Sequence, residues 1–126
     1  MNIPENLKYT NDHEWVLVDG NIGTIGVTDY AQGELGDVVF VDIDPNISDV
    51  KKGESVGTIE AVKTVSDMFT PFSGKVVEIN PNLSNNPEII NTDPYGEGWM
   101  LKIEISDPSE LNELLDAAGY KALIGQ

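Results

Sequence analysis

Two landmarks of this sequence occur twice, in the same order. Gly23-Thr24-Ile25 returns as Gly57-Thr58-Ile59, and Gly36-Asp37-Val38-Val39 returns as Gly74-Lys75-Val76-Val77. A duplicated strand–turn–strand unit constrains the fold, because neither copy buries its apolar face alone and the two must pack on each other. Chance recurrence of the common residues Gly, Val and Ile is the competing account. Residues 14–18, 22–27, 37–43, 55–61, 65–70, 75–80 and 99–105 all have strand composition, and Asp19-Gly20 is a hairpin-favouring dipeptide. Short strands with frequent turn signals predict a mainly β sandwich or barrel, with two units over about residues 20–82 related by a quasi-two-fold axis. Helices are few. Thr28 caps a short one through Leu35, and Asn86-Pro87 starts another with proline at its first position. Asp107-Pro108-Ser109-Glu110 reads as a capping box opening a C-terminal helix over about 108–118. Its apolar face would be Leu111, Leu114, Leu115 and Ala118, with Gly119 closing it. A chain of 126 residues without a linker suits one domain, 1–126.

The second copy is longer between its landmarks, and Lys63 lies in the extra stretch, Glu60-Ala61-Val62-Lys63-Thr64-Val65-Ser66-Asp67. A lysine at the bend of a hairpin, with a glycine downstream, points to a carrier whose reactive group is attached to the protein. Composition removes the main alternatives. Cysteine is absent and His13 is the sole histidine, so thiol nucleophiles and multi-histidine metal centres are excluded, leaving only carboxylates for a hard cation. Asp42-Ile43-Asp44 has no calcium-loop spacing after it. There is no nucleophile elbow, Walker loop or Gly-x-Gly-x-x-Gly, and a Ser-His-Asp triad would have to recruit His13, so a self-sufficient enzyme has no support. A net charge of −15, with no arginine, argues against nucleic acid and for basic partner faces or plain solubility. The longest apolar run, Val38-Val39-Phe40-Val41, is too short to cross a bilayer. No signal pattern opens the chain, which predicts a cytoplasmic protein or a mature organellar one. His13 reads as packed or hydrogen-bonded, Trp15 and Trp99 as core or cleft walls, and Lys51, Lys52 and Lys75 as solvated charges. By themselves Glu14 and Asp67 read as ordinary exposed carboxylates.

Several further segments add specificity: His13-Glu14-Trp15, Gly26-Val27-Thr28-Asp29-Tyr30-Ala31-Gln32, Pro71-Phe72-Ser73-Gly74, Asn80-Pro81-Asn82-Leu83, Pro94-Tyr95-Gly96-Glu97-Gly98-Trp99 and Leu114-Leu115-Asp116-Ala117-Ala118-Gly119-Tyr120. With Leu35-Gly36-Asp37-Val38-Val39-Phe40-Val41 and the Lys63 segment, they make the chain resemble the H proteins of the glycine cleavage system over nearly its whole length. The usual arm motif of that family is Glu-Ser-Val-Lys-Ala, and here it is Glu60-Ala61-Val62-Lys63-Thr64. The resemblance implies a lipoyl/biotinyl-type barrel-sandwich hybrid with short helices and a C-terminal helix. It implies lipoate attached to Lys63 as N6-lipoyllysine, and a non-catalytic shuttle carrying an aminomethyl group from glycine decarboxylase to aminomethyltransferase. Dihydrolipoamide dehydrogenase would reoxidise the arm, and a lipoate ligase or lipoyl transferase would install it. The resemblance places Glu14 and Asp67 near the arm, with Asp12 and Thr64 as weaker candidates. From the composition, charge and short apolar runs, no metal, nucleic acid or membrane is expected. A lipoyl-relay protein using the same lysine is the alternative, and an unmodified binding module with the same fold is the rival from another class. A biotin carrier fits less well, because Val62 and Thr64 stand where methionines are usual. Acyltransferase lipoyl domains usually continue into Ala/Pro-rich linkers, which this chain does not show.

Overall fold

In the computed structural model, which describes residues 1–126, nine strands form two antiparallel sheets. In chain order the elements are β1 (Lys8–Tyr9), β2 (Glu14–Asp19), β3 (Ile22–Val27), α1 (Asp29–Leu35), β4 (Val38–Asp42), β5 (Asp49–Val50), β6 (Ser55–Ala61), β7 (Val65–Phe69), β8 (Gly74–Ile79), α2 (Ile89–Thr92), β9 (Leu101–Ile105) and α3 (Ala117–Leu123). One sheet has the order β1-β2-β3-β9-β8-β5, the other β4-β6-β7. Each repeat copy gives one landmark strand to each sheet, in opposite order: β3 then β4, β6 then β8. The repeated Gly-Thr-Ile residues occupy equivalent packing positions, whereas Gly36 is a loop residue at positive φ and Gly74 lies in β8. Ile25 and Ile59 are both buried in a core cluster of 18 residues. Gly23 and Gly57 both sit where another chain segment closes in. A side chain at Gly23 would run into the Phe72 ring, and a Cβ at Gly57 would stand 2.9 Å from the Asp42 carbonyl.

A second cluster of five residues, Leu7, Tyr9, Trp15, Ala117 and Tyr120, joins both ends of the chain to β2. Trp15 is buried there and its indole N–H donates to the Pro94 carbonyl at 2.9 Å. Trp99 packs against this cluster half-buried, with the Lys102 ammonium 4.8 Å above its ring.

Several local expectations are corrected. The β2–β3 loop is Gly20-Asn21, not Asp19-Gly20: Asp19 pairs with Ile22, and Gly20 alone has positive φ, at 62°. No single helix covers 108–118. A 3₁₀ helix spans Pro108–Glu113, Leu114 is extended, and α3 begins at Ala117 with Asp116 as its N-cap. Tertiary partners decide this break. Leu115 exchanges two 2.8 Å backbone hydrogen bonds with Tyr9, and Tyr120 then stacks on Tyr9 at 4.7 Å. Glu110 does not reach back to Asp107. Its carboxylate accepts from the Ser73 backbone N–H and hydroxyl at 2.7 and 3.1 Å. Gly119 lies inside α3 and does not end it. Likewise α2 starts at Ile89, after turns at Asn86 and Pro87, and puts Ile90 into the core. The last strand starts at Leu101, two residues later than its composition suggests, although the Met100 N–H still donates to the Ile25 carbonyl of β3 at 2.9 Å. The helix after Thr28 forms as its sequence indicates, the Thr28 hydroxyl accepting from the Ala31 N–H at 3.1 Å.

Candidate functional site

Strands β6 and β7 pair from Ser55 to Glu60 and leave Val62-Lys63-Thr64 as the hairpin loop. The Ala61 N–H donates to the Thr64 carbonyl at 2.8 Å, and the Val62 N–H donates to the Asp37 carbonyl at 3.0 Å. The first bond closes the turn, and the second ties it to the loop between α1 and β4. Lys63 stands exposed between them. The ion pairs of the chain are Lys52 with Glu113 and Lys102 with Glu78, so Lys63 is free of a carboxylate partner. Its neighbours Val62 and Val65 are 72 and 62% exposed. Lys63 thus stands unpaired on a short, pegged loop flanked by exposed apolar side chains.

Beside this hairpin lies a cleft of about 150 Å³ between α1, the start of β2 and β7. Asp12, Glu14, Glu34 and Asp67 supply its carboxylates, and Val27, Leu35, Ile59 and Met68 are among its apolar walls. Glu14 and Asp67 are therefore brought together. Asp67 is exposed, as its sequence position suggests, but Glu14 is only 2% exposed, which corrects its reading as a surface carboxylate. The cause is the edge of a sheet. Strand β7 has no neighbour beyond β6, and the Phe69 N–H donates to the Glu14 Oε2 at 2.7 Å instead of to another strand. The Thr10 hydroxyl donates to Oε1 at 3.1 Å. Burial pushes the Glu14 carboxyl up to about 8, and the nearby Asp12 charge adds to the rise, while the Phe69 and Thr10 hydrogen bonds oppose it. With its carboxyl raised that far, Glu14 holds a proton over much of the neutral range.

Asp12 lines the same cleft, while Thr64 stays in the loop and does not. Two ionisable lining residues were not singled out for it by sequence reasoning, Glu34 on α1 and His13. His13 carries the chain's only positive φ outside glycine, 65°. Its Nδ1 is 3.0 Å from the Tyr120 hydroxyl, and that hydroxyl is 2.7 Å from the Thr28 hydroxyl. It is a hydrogen-bonded histidine tying α3 to the cap of α1. Only its backbone strain sets it apart, and strain has no signal in one sequence.

The family model described as "Glycine cleavage H-protein" matches residues 7–126. The glycine cleavage system H protein of Symbiobacterium thermophilum is 56% identical over 121 residues, 96% of this chain and 94% of that protein. The protein of the same name from Bacteroides fragilis is 54% identical over 124 residues, 98% of both chains. The crystal structure of a glycine cleavage system H protein from Mycobacterium marinum superposes with a TM-score of 0.89 at 38% identity, covering 98% of this chain and 100% of that one. With its two-sheet sandwich, lysine hairpin and acidic cleft, this chain belongs to the glycine cleavage H-protein family.

Proposed function

We propose that Lys63 is the attachment point of lipoate, as N6-lipoyllysine, and that this chain, working as one domain over 1–126, is a cytoplasmic, non-catalytic shuttle of the glycine cleavage system. The observation that carries the reading is an unpaired lysine on a hairpin tip next to a cleft with apolar walls and a carboxylate floor. Those residues suit the group. An aliphatic arm fits against Val27, Leu35, Ile59 and Met68, and the absence of cysteine leaves no thiol to exchange with a dithiolane. When attached, lipoate supplies the carbon-carrying and redox chemistry that the chain's own side chains lack.

The protein contributes position and charge. The hairpin holds Lys63 on an exposed loop without a carboxylate partner. Glu14 and Asp67 face the cleft in which a cationic cargo would rest, Glu14 giving up its proton as the cation arrives. Walls that keep water away from the cargo would slow its hydrolysis. The partners on this reading are glycine decarboxylase, aminomethyltransferase and dihydrolipoamide dehydrogenase, with a lipoate ligase or lipoyl transferase for assembly. Intact mass after incubation with lipoate ligase, ATP and lipoate tests the reading. We expect the parent to gain one lipoyl group and Lys63→Arg none. Absence of any gain, with the ligase active on another acceptor, would leave an unmodified binding module as the better account.

A further inference from the structure

The stem of Lys63 lies against the loop that follows α1. A Cβ placed on Gly36 would stand 3.1, 3.6 and 3.7 Å from the lysine Cε, Cδ and Cγ, so three methylenes run over the bare backbone of one residue. Gly36 is next to Leu35, which lines the acidic cleft. It has φ +80° and ψ −162°, a conformation essentially restricted to glycine. The loop is fastened from below by Asn91 on α2. Its Nδ2 donates to the Gly36 carbonyl at 2.9 Å and the Gln32 Oε1 at 3.0 Å, and its Oδ1 accepts from the Val38 N–H at 2.8 Å. The same loop accepts the Val62 N–H of the lysine hairpin through the Asp37 carbonyl. The lysine turn and the surface beneath its stem are therefore one fixed unit.

We propose that Gly36 is a positioning residue that selects between two poses of the arm. Its missing side chain leaves a track on which the stem lies down on the loop that follows Leu35 of the cleft wall. With a methyl group there, 3.1 Å from Cε, the stem has to give way and rests on the loop less often. Attachment of the group needs the raised pose, in which Nζ reaches an enzyme, and retention of a cationic cargo needs the lowered one. Blocking the track shifts the population between them. The inference rests on Lys63 being the lipoylated residue.

Gly36→Ala is the test, beside Gly20→Ala, which also stands at positive φ, 62°, but has no atom within 4 Å of the added methyl group. For Gly36→Ala we expect lipoylation kcat/KM at or above the parent value, and carbon loss from the glycine-loaded protein roughly three- to tenfold faster. Gly20→Ala should change neither. Damage to the fold alone would depress lipoylation and retention together, so a parallel fall, or unchanged carbon loss, overturns the proposal. If Gly36→Ala does not fold, the parent decides. Nuclear Overhauser contacts between the Gly36 α-protons and the Lys63 Cδ and Cε methylenes support the track, and their absence overturns it. Failure of the parent to accept lipoate sinks the functional reading, and this one with it. Normal lipoylation with unaltered carbon loss sinks this one alone.

Discussion

Glu14 is the residue whose chemistry departs furthest from its ordinary behaviour. Its carboxyl is raised to about 8 from a carboxylate's usual 4.5, chiefly by burial. A group whose pKa rises on folding favours the folded state most when it is protonated in both states. Stability is therefore greatest below about pH 4.5 with respect to this group, and is lost as pH climbs through 8. Glu14→Gln keeps an acceptor for the Phe69 N–H but cannot ionise. The stability difference between parent and Glu14→Gln in urea melts should shift toward the variant, on the order of a few kcal/mol, between pH 5 and 9. A difference that stays constant with pH would show that the carboxyl titrates normally. The residue scale also separates what a sequence exposes from what it hides. Lys63 was legible because a hairpin lysine with a following glycine is a local pattern. The burial of Glu14 was not, since it follows from β7 lying at a sheet edge and offering its Phe69 N–H 55 positions away.

Among the elements, α2 is the one whose role exceeds its size. It has four residues, too few to be stable alone, yet Ile90 fills the core and Asn91 holds the 36–38 loop by hydrogen bonds to Gly36 and Val38. Asn91→Ala removes those bonds and strands the Val38 N–H, at a cost of roughly 2–3 kcal/mol in denaturant unfolding. Its more specific effect should be local. The amide protons of Val38 and Val62 should exchange faster with solvent in the variant, because the hairpin loop is pegged to Asp37 in that same segment. Unchanged exchange at Val62 would show that the lysine turn holds its place without the clamp. The elements that were misplaced have a common cause. Helix α2 and the 3₁₀ helix at Pro108–Glu113 are held by distant partners, Gly36 for one and Ser73 for the other, and Tyr9 pairs with Leu115 where the C-terminal helix would have run on. Strands β1 and β5 have two residues each, which no periodicity reveals. Longer strands with their own turn residues, such as β3 and β6, were readable within a residue or two.

For the whole molecule, the duplicated landmarks made the sandwich legible, because Gly23 and Gly57 must both admit a neighbouring segment and Ile25 and Ile59 must both reach one core. Charge acts at the same scale without choosing the fold. The chain has 22 carboxylates against seven lysines, and two ion pairs, Lys52 with Glu113 and Lys102 with Glu78. Most carboxylates thus repel one another across the surface, and expansion on unfolding relieves that repulsion. Salt should weaken it. The screening length falls from about 30 Å at 0.01 M to about 10 Å at 0.1 M, shorter than the distance across the domain. Raising sodium chloride over that range at pH 7 should therefore stabilise the protein, by on the order of 1 kcal/mol or about 4 °C in the unfolding midpoint. The same salt should slow association with a basic partner face, because screening weakens the long-range attraction that steers encounter. The two effects have opposite signs on stability and on association rate, yet share one origin. Calorimetry and stopped-flow binding across the same salt series would read both. A midpoint that falls with salt would mean that the two ion pairs outweigh the bulk repulsion.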